Sequence, residues 1–169
     1  MNNFDACLAH VLQSEGGYVN NPADPGGETN LGVTRKVWED WVKRELFDDE
    51  MRHLTPEMVG PLYKAKYWDA ICGDSLPAGV DLCVFDCAVN GGVSRAARFI
   101  QHSAGAVEDG EIGHDTLELI KSRSPVALIR DFCAQREMHY KSLPTFADFG
   151  KGWMSRLDRV EEDAIKMTL

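Results

Sequence analysis

EGGYVNNPADPGGETNLGVT, residues 15–34, is the stretch that decides how this chain folds. Pro22, Pro25 and the pairs Gly16-Gly17 and Gly26-Gly27 punctuate it, and Asn21 and Asp24 supply side chains that close turns on their own backbone. Such a run cannot continue a helix, because proline lacks an amide donor and glycine carries the largest backbone entropy cost. It predicts a loop or short hairpins over residues 18–34. The residues before it follow another rule. Phe4, Cys7, Leu8, Val11 and Leu12 recur at helical spacing, which predicts an amphipathic helix from residue 4 to about 15, ended by Gly16-Gly17.

Glu15 stands at the junction. It follows Val11 by four residues and Leu12 by three, so it continues the apolar stripe of the helix. A carboxylate placed there is expected to be partly desolvated, and the negative end of the helix dipole opposes its charge. Both effects favour the protonated form that can give a proton to a leaving glycosidic oxygen. The plainer reading is a side chain that accepts hydrogen bonds from amides of the loop. Asp24, nine residues on, is a candidate for the second carboxylate that glycoside hydrolysis requires, and equally a turn former ahead of Pro25. The Thr29 hydroxyl could orient a water or cap a turn.

Beyond residue 34 the pattern is helical. Val33, Val37, Trp38, Trp41 and Val42 predict one helix, and Thr55-Pro56-Glu57 is a start signal for another running to about Trp68. Pro77 opens AGVDLCVFDCAVN, apolar on so many sides that a central position is expected. Ser94 is read as the cap of a helix through Ile100, followed by a turn-rich stretch and two last helices near 124–141 and 150–167. The Gly91-Gly92 break is the best internal seam, giving regions 1–92 and 93–169 that are expected to pack as one compact unit.

The bulk numbers exclude several functions. With 18 basic against 27 acidic residues and a net charge of −9, the chain lacks the basic face of a nucleic-acid binder. No apolar run reaches the ~18 residues of a membrane span. MNNFDACLAH lacks the basic and apolar segments of a signal peptide, so cytoplasmic synthesis is expected, and anything done outside needs another export route. Five cysteines without CxxC spacing and five scattered histidines suggest packed thiols, no metal and no cofactor. A monomer is expected.

The run from Glu15 to Thr34 resembles the signature of glycoside hydrolase family 108, muramidases of phage endolysin and prophage origin. Leu62-Tyr63, Tyr67-Trp68-Asp69, Leu76-Pro77-Ala78-Gly79-Val80 and Phe85-Asp86-Cys87-Ala88-Val89-Asn90-Gly91 also resemble that family. From about Ser94, notably Arg95-Ala96-Ala97 and Asp109-Gly110 through Thr116, the chain is similar to the peptidoglycan-binding region that follows in such proteins. The resemblance implies a mainly α, lysozyme-like fold with a small hairpin lobe after the first helix. It also implies cleavage of the β-1,4 bond between N-acetylmuramic acid and N-acetylglucosamine in peptidoglycan, with Glu15 as the acid. T-even phage lysozymes space a Glu, an Asp and a Thr by nine and six residues; here the third place falls on Asn30, with Thr29 one short. Family members often carry Asp where Asn21 stands.

Asp86 is a rival second carboxylate, sharing a helix face with Asn90, or else a buried brace for the loop. Tyr18, Tyr67 and Trp68 are candidates to stack on sugar rings, with core packing as the alternative. Asn90 is placed near the substrate. The competing function is a catalytically silent wall binder or secretion-associated protein on the same scaffold.

Overall fold

The computed structural model describes residues 3–169. Among them are eight α-helices and one three-stranded antiparallel sheet, the mainly α architecture with a small hairpin lobe that the signature implies. The chain forms two compact units, Leu8–Lys66 on one side of the division, and the described residues up to Cys7 with Tyr67–Leu169 on the other. The Gly91-Gly92 break lies inside the larger unit as a turn between two helices. No helix among the described residues is long and apolar enough to cross a membrane.

Helix α1 (Phe4–Leu12) ends three residues before the expected point. Two tight turns follow, in which the Ser14 amide donates to the Val11 carbonyl (3.0 Å) and the Glu15 amide to that of Leu12 (3.2 Å). The punctuated stretch then becomes β1 (Val19–Asn20), β2 (Glu28–Asn30) and β3 (Val33–Thr34). Val19 pairs with Thr29, and Thr29 with Thr34. Val33 and Thr34 are therefore strand, not the first turn of the next helix. The reason is Thr34 itself, whose hydroxyl caps α2 (Arg35–Val42) by accepting from the Val37 amide. In α3 (Pro56–Tyr63), Thr55 caps the helix through the Met58 amide and Pro56 stands at its start, as the start signal requires. The helical path continues to Trp68, but residues Lys64–Trp68 widen into a π-turn.

The larger unit is built around α4 (Val80–Gly91), which packs against α5 (Val93–Ala104), α7 (Pro125–Ser142) and α8 (Phe146–Met167). Every residue from Val80 to Ala88 is buried, which bears out the central position read from its apolar pattern. Gly79, at φ +83°, lets α8 approach the start of α4: a Cβ there would meet the Ala164 carbonyl oxygen at 2.2 Å. Two boundaries differ from expectation. The N-cap of α5 is Gly92 rather than Ser94, and α8 begins four residues early, at Phe146. A short helix, α6 (His114–Lys121), forms beyond the turn-rich stretch. That stretch is organised by buried Gln101, which accepts from the Gly110 amide (2.9 Å) and donates to Asp109 (2.7 Å). Four of the five free cysteines are buried and Cys72 is half-buried, consistent with packed thiols.

Candidate functional site

The lobe after α1 is pinned by a single tight turn. Asn30 pairs with Val33, so Leu31 and Gly32 form a two-residue hairpin loop, with φ values of +51° and +75°. Two successive positive φ angles match the twist of antiparallel strands, and glycine tolerates the second without cost. The Leu31 amide donates to the Gly16 carbonyl (3.0 Å), and the Tyr63 hydroxyl at the end of α3 donates to the Leu31 carbonyl (2.8 Å). The turn is thus tied both to the residue after Glu15 and to α3.

Glu15 meets this turn directly. A Cβ on Gly32 would lie 2.8 Å from Glu15 Oε2 and 2.5 Å from the Tyr63 hydroxyl oxygen. The two oxygens converge on one point over Gly32, and only the missing side chain leaves room for them. Glu15 is half-buried and Tyr63 buried, so the carboxyl is fixed on one side and still reachable. Such a group can pass a proton to a leaving oxygen that enters from the open side.

The other acids of the lobe are differently committed. Glu28 accepts from the Tyr18 hydroxyl (2.7 Å) and pairs with Arg35 (2.7 Å). These hydrogen bonds, Tyr18 first, hold its carboxyl below the ordinary carboxylate range. Arg52 lies over the Tyr18 ring at 4.3 Å, so one face of that ring is occupied by a cation. Asp24 is exposed, and its Oδ1 accepts from the Gly26 amide (2.9 Å) in the turn that Pro25 imposes. Thr29 is half-buried within β2. Asn30, at the third place of the phage-lysozyme spacing, is buried and donates to the Met51 carbonyl (2.8 Å), a structural bond.

Four sequence candidates belong to the larger unit. Trp68 is 1% exposed, with Phe4 and Phe85 edge-on to it at 5.4 and 5.3 Å and its indole N–H donating to Asp74 (2.9 Å). A ring enclosed in this way cannot stack on a sugar, so Trp68 is a core residue. Asp86 is 0% exposed and pairs with Arg136 (2.7 Å) and Arg156 (2.8 Å). Burial alone would raise its pKa, but Arg136 and then Arg156 outweigh that and hold it below the ordinary value. Asp86 braces α4 to α7 and α8, not the loop, and it is not a reacting group. Asn90 is exposed, and its Oδ1 accepts from the Tyr140 hydroxyl (3.1 Å). Tyr67 is half-buried in the π-turn.

Tyr63 and Gly32 are the members of the site that sequence reasoning passed over. The glycine was visible as one of five in the loop signature, with nothing in the spacing to say which one faces Glu15. Tyr63 lies 31 residues from Gly32 and sits on a regular apolar helix face, where a tyrosine reads as core.

Comparisons with known proteins agree with this picture. The family model described as Glycosyl hydrolase 108 matches residues 8–92, half of the chain. The solved structure of Brucella abortus SagA is similar to the chain at a TM-score of 0.83 and 38% identity, covering 98% of this chain and 95% of SagA. No curated protein sequence matches it. With the signature loop, the half-buried acid and the match over residues 8–92 in agreement, the chain belongs to glycosyl hydrolase family 108 and carries that family's glycoside hydrolase domain.

Proposed function

We propose that the chain is a peptidoglycan muramidase of the lysozyme type, cleaving the β-1,4 bond between N-acetylmuramic acid and N-acetylglucosamine, with Glu15 as general acid. One observation carries the reading: the Glu15 carboxyl is held over Gly32 beside the Tyr63 hydroxyl, at the base of a lobe pinned on both sides. Positioning of this kind keeps a proton donor aimed at one place while the substrate supplies the rest of the geometry. Membership of a glycoside hydrolase family supports the reaction class.

Asp24 is the second carboxylate in this proposal. Glu28 is held by Tyr18 and Arg35, and the enclosed Asp86 by Arg136 and Arg156, so neither is available. Asp24 uses Oδ1 in its turn, which leaves Oδ2 to activate water or steady developing positive charge. Thr29 is assigned to orient that water. Tyr18, Tyr67 and Asn90 are assigned to contact the glycan. A phage or prophage endolysin role, with release from the cytoplasm to the wall, fits this assignment.

Digestion of purified sacculi tests it. Mass spectrometry of the fragments should show reducing N-acetylmuramic acid ends, and Glu15→Gln should yield none. Anhydro-muramic ends would make the protein a lytic transglycosylase instead. Sedimentation with sacculi without released fragments would make it a silent binder.

A further inference from the structure

The larger unit contains a pocket that holds none of the proposed catalytic groups and shares only Asn90 with the proposed glycan contacts. Its volume is about 200 Å³, and it opens among the end of α4, α5, α7 and α8. The walls combine two chemistries. Phe99, Tyr140 and Trp153 supply aromatic surface, with the Tyr140 and Trp153 rings 5.4 Å apart. Outside the pocket, Phe149 stacks on Trp153 at 6.0 Å and remains 58% exposed, which extends the aromatic surface into solvent. The polar part is cationic: Arg95 and Arg136 line the pocket, and no lining residue is acidic. In a chain of net charge −9, a pocket with two guanidinium groups and no carboxylate is a marked local reversal.

The two arginines differ in what they can still bind. Arg136 is 1% exposed, and its nitrogens go to Asp86, to the Tyr140 hydroxyl (2.9 Å) and to Asn90 (3.5 Å). It contributes charge, with its nitrogens turned toward these protein groups. Arg95 is exposed, and among the described residues its one protein acceptor is the Gly91 carbonyl (3.2 Å). The rest of its planar donor fork is left for a ligand. One free guanidinium suits a carboxylate taken in bidentate fashion, better than a dianion that would need several donors. His139, also in the wall, is kept toward its neutral form by burial and by Arg95, so it adds a hydrogen-bonding edge rather than a third charge.

We infer that this pocket binds a monocarboxylate carried on a single ring or a short amino-acid unit, with Arg95 taking the carboxylate and Tyr140 and Trp153 taking the body. The volume suits one such unit. Within the muramidase reading, on which only the source of the ligand rests, the carboxylate belongs either to a muramic acid ring or to the end of a stem peptide.

The test is titration of the full-length protein by NMR, following the Arg95 Nε–H and Trp153 Nε1–H signals. Five probes are used: N-acetylmuramic acid, N-acetyl-D-alanyl-D-alanine, their uncharged counterparts, N-acetylglucosamine and the amidated dipeptide, and inorganic phosphate. At least one carboxylate probe should shift both signals and bind at least about tenfold more tightly than its neutral counterpart. The one that binds names the source. Arg95→Gln, at an exposed position, should weaken that probe by a similar factor with the amide spectrum otherwise kept. Equal binding of charged and neutral probes, tighter binding of inorganic phosphate, no shift with any probe, or unchanged affinity in Arg95→Gln would each overturn the proposal. No bond is cleaved in this measurement, so its failure leaves the Glu15 test standing, and a failure there leaves this one standing.

Discussion

Two carboxylates, Glu15 in the smaller unit and Asp86 in the larger, are handled in opposite ways. Asp86 is enclosed, charged and locked between Arg136 and Arg156. Glu15 is half-buried beside a tyrosine hydroxyl and a bare glycine, on a tight turn rather than a helix. An enclosed carboxylate paired with two guanidiniums is committed to holding structure. A half-buried carboxylate set beside a hydroxyl is the kind that can exchange a proton with a substrate. Burial by itself therefore does not mark a candidate acid; the identity of the neighbours does.

The sharpest way to break this contrast is a matched pair of neutral substitutions. Glu15→Gln should lower muramidase turnover by at least about 100-fold, the scale of losing a general acid, while the denaturant midpoint stays close to wild type. Asp86→Asn should do the reverse. It leaves the buried Arg136 and the half-buried Arg156 without their anion, which costs about 3–5 kcal/mol in chemical denaturation. A stable Asp86→Asn protein, or a Glu15→Gln protein that still lyses walls, would dissolve the distinction.

Gly32→Ala sharpens the local half of the contrast. Its methyl group would collide with the Glu15 and Tyr63 oxygens at a positive φ. Turnover should fall by about 100-fold through misplacement of the acid, with a stability loss of about 1–2 kcal/mol. Smaller again is Asp24→Asn, which keeps an oxygen for the Gly26 amide but removes the charge. A drop in turnover of about tenfold or more at unchanged stability would identify Asp24 as the partner carboxylate. Retained activity would return it to the role of turn former.

The smallest effect is a pH dependence. Asp86 has a folded pKa below its unfolded one, so its contribution is fully present above the unfolded value of about 3.9. It is lost as pH falls through the folded value. The stability gap between wild type and Asp86→Asn should therefore be constant from pH 7 to about 5 and close only in stronger acid, as urea midpoints across that range would show.

Much of this was legible in the chain. The helical spacing of Phe4 to Leu12, the Thr55-Pro56 start and the apolar run of α4 each depend on neighbours a few residues away, so they survive translation into structure. Glu15 was found because it stood where a periodic segment met a punctuated one. What stayed hidden depends on distant partners. Trp68 reads the same whether it faces a sugar or, as here, Phe4 and Phe85. Asp86 gives no sign in its own segment that Arg136 and Arg156 lie ahead. The short α6 carries too few turns for its periodicity to stand out, and Val33 fitted two patterns until Thr34 capped α2.

The order of synthesis meets an obstacle in the aromatic cluster of Phe4, Trp68 and Phe85. Phe4 is translated before Leu8–Lys66, yet its ring partners belong to a segment made only after all of that unit. At ~5–20 residues per second the wait is on the order of ten seconds. By the end of that interval the smaller unit, continuous in sequence, has all its own residues, while the ring of Phe4 still has no partners to join. The first turn of α1 is thus a late arrival in folding despite being translated ahead of the smaller unit.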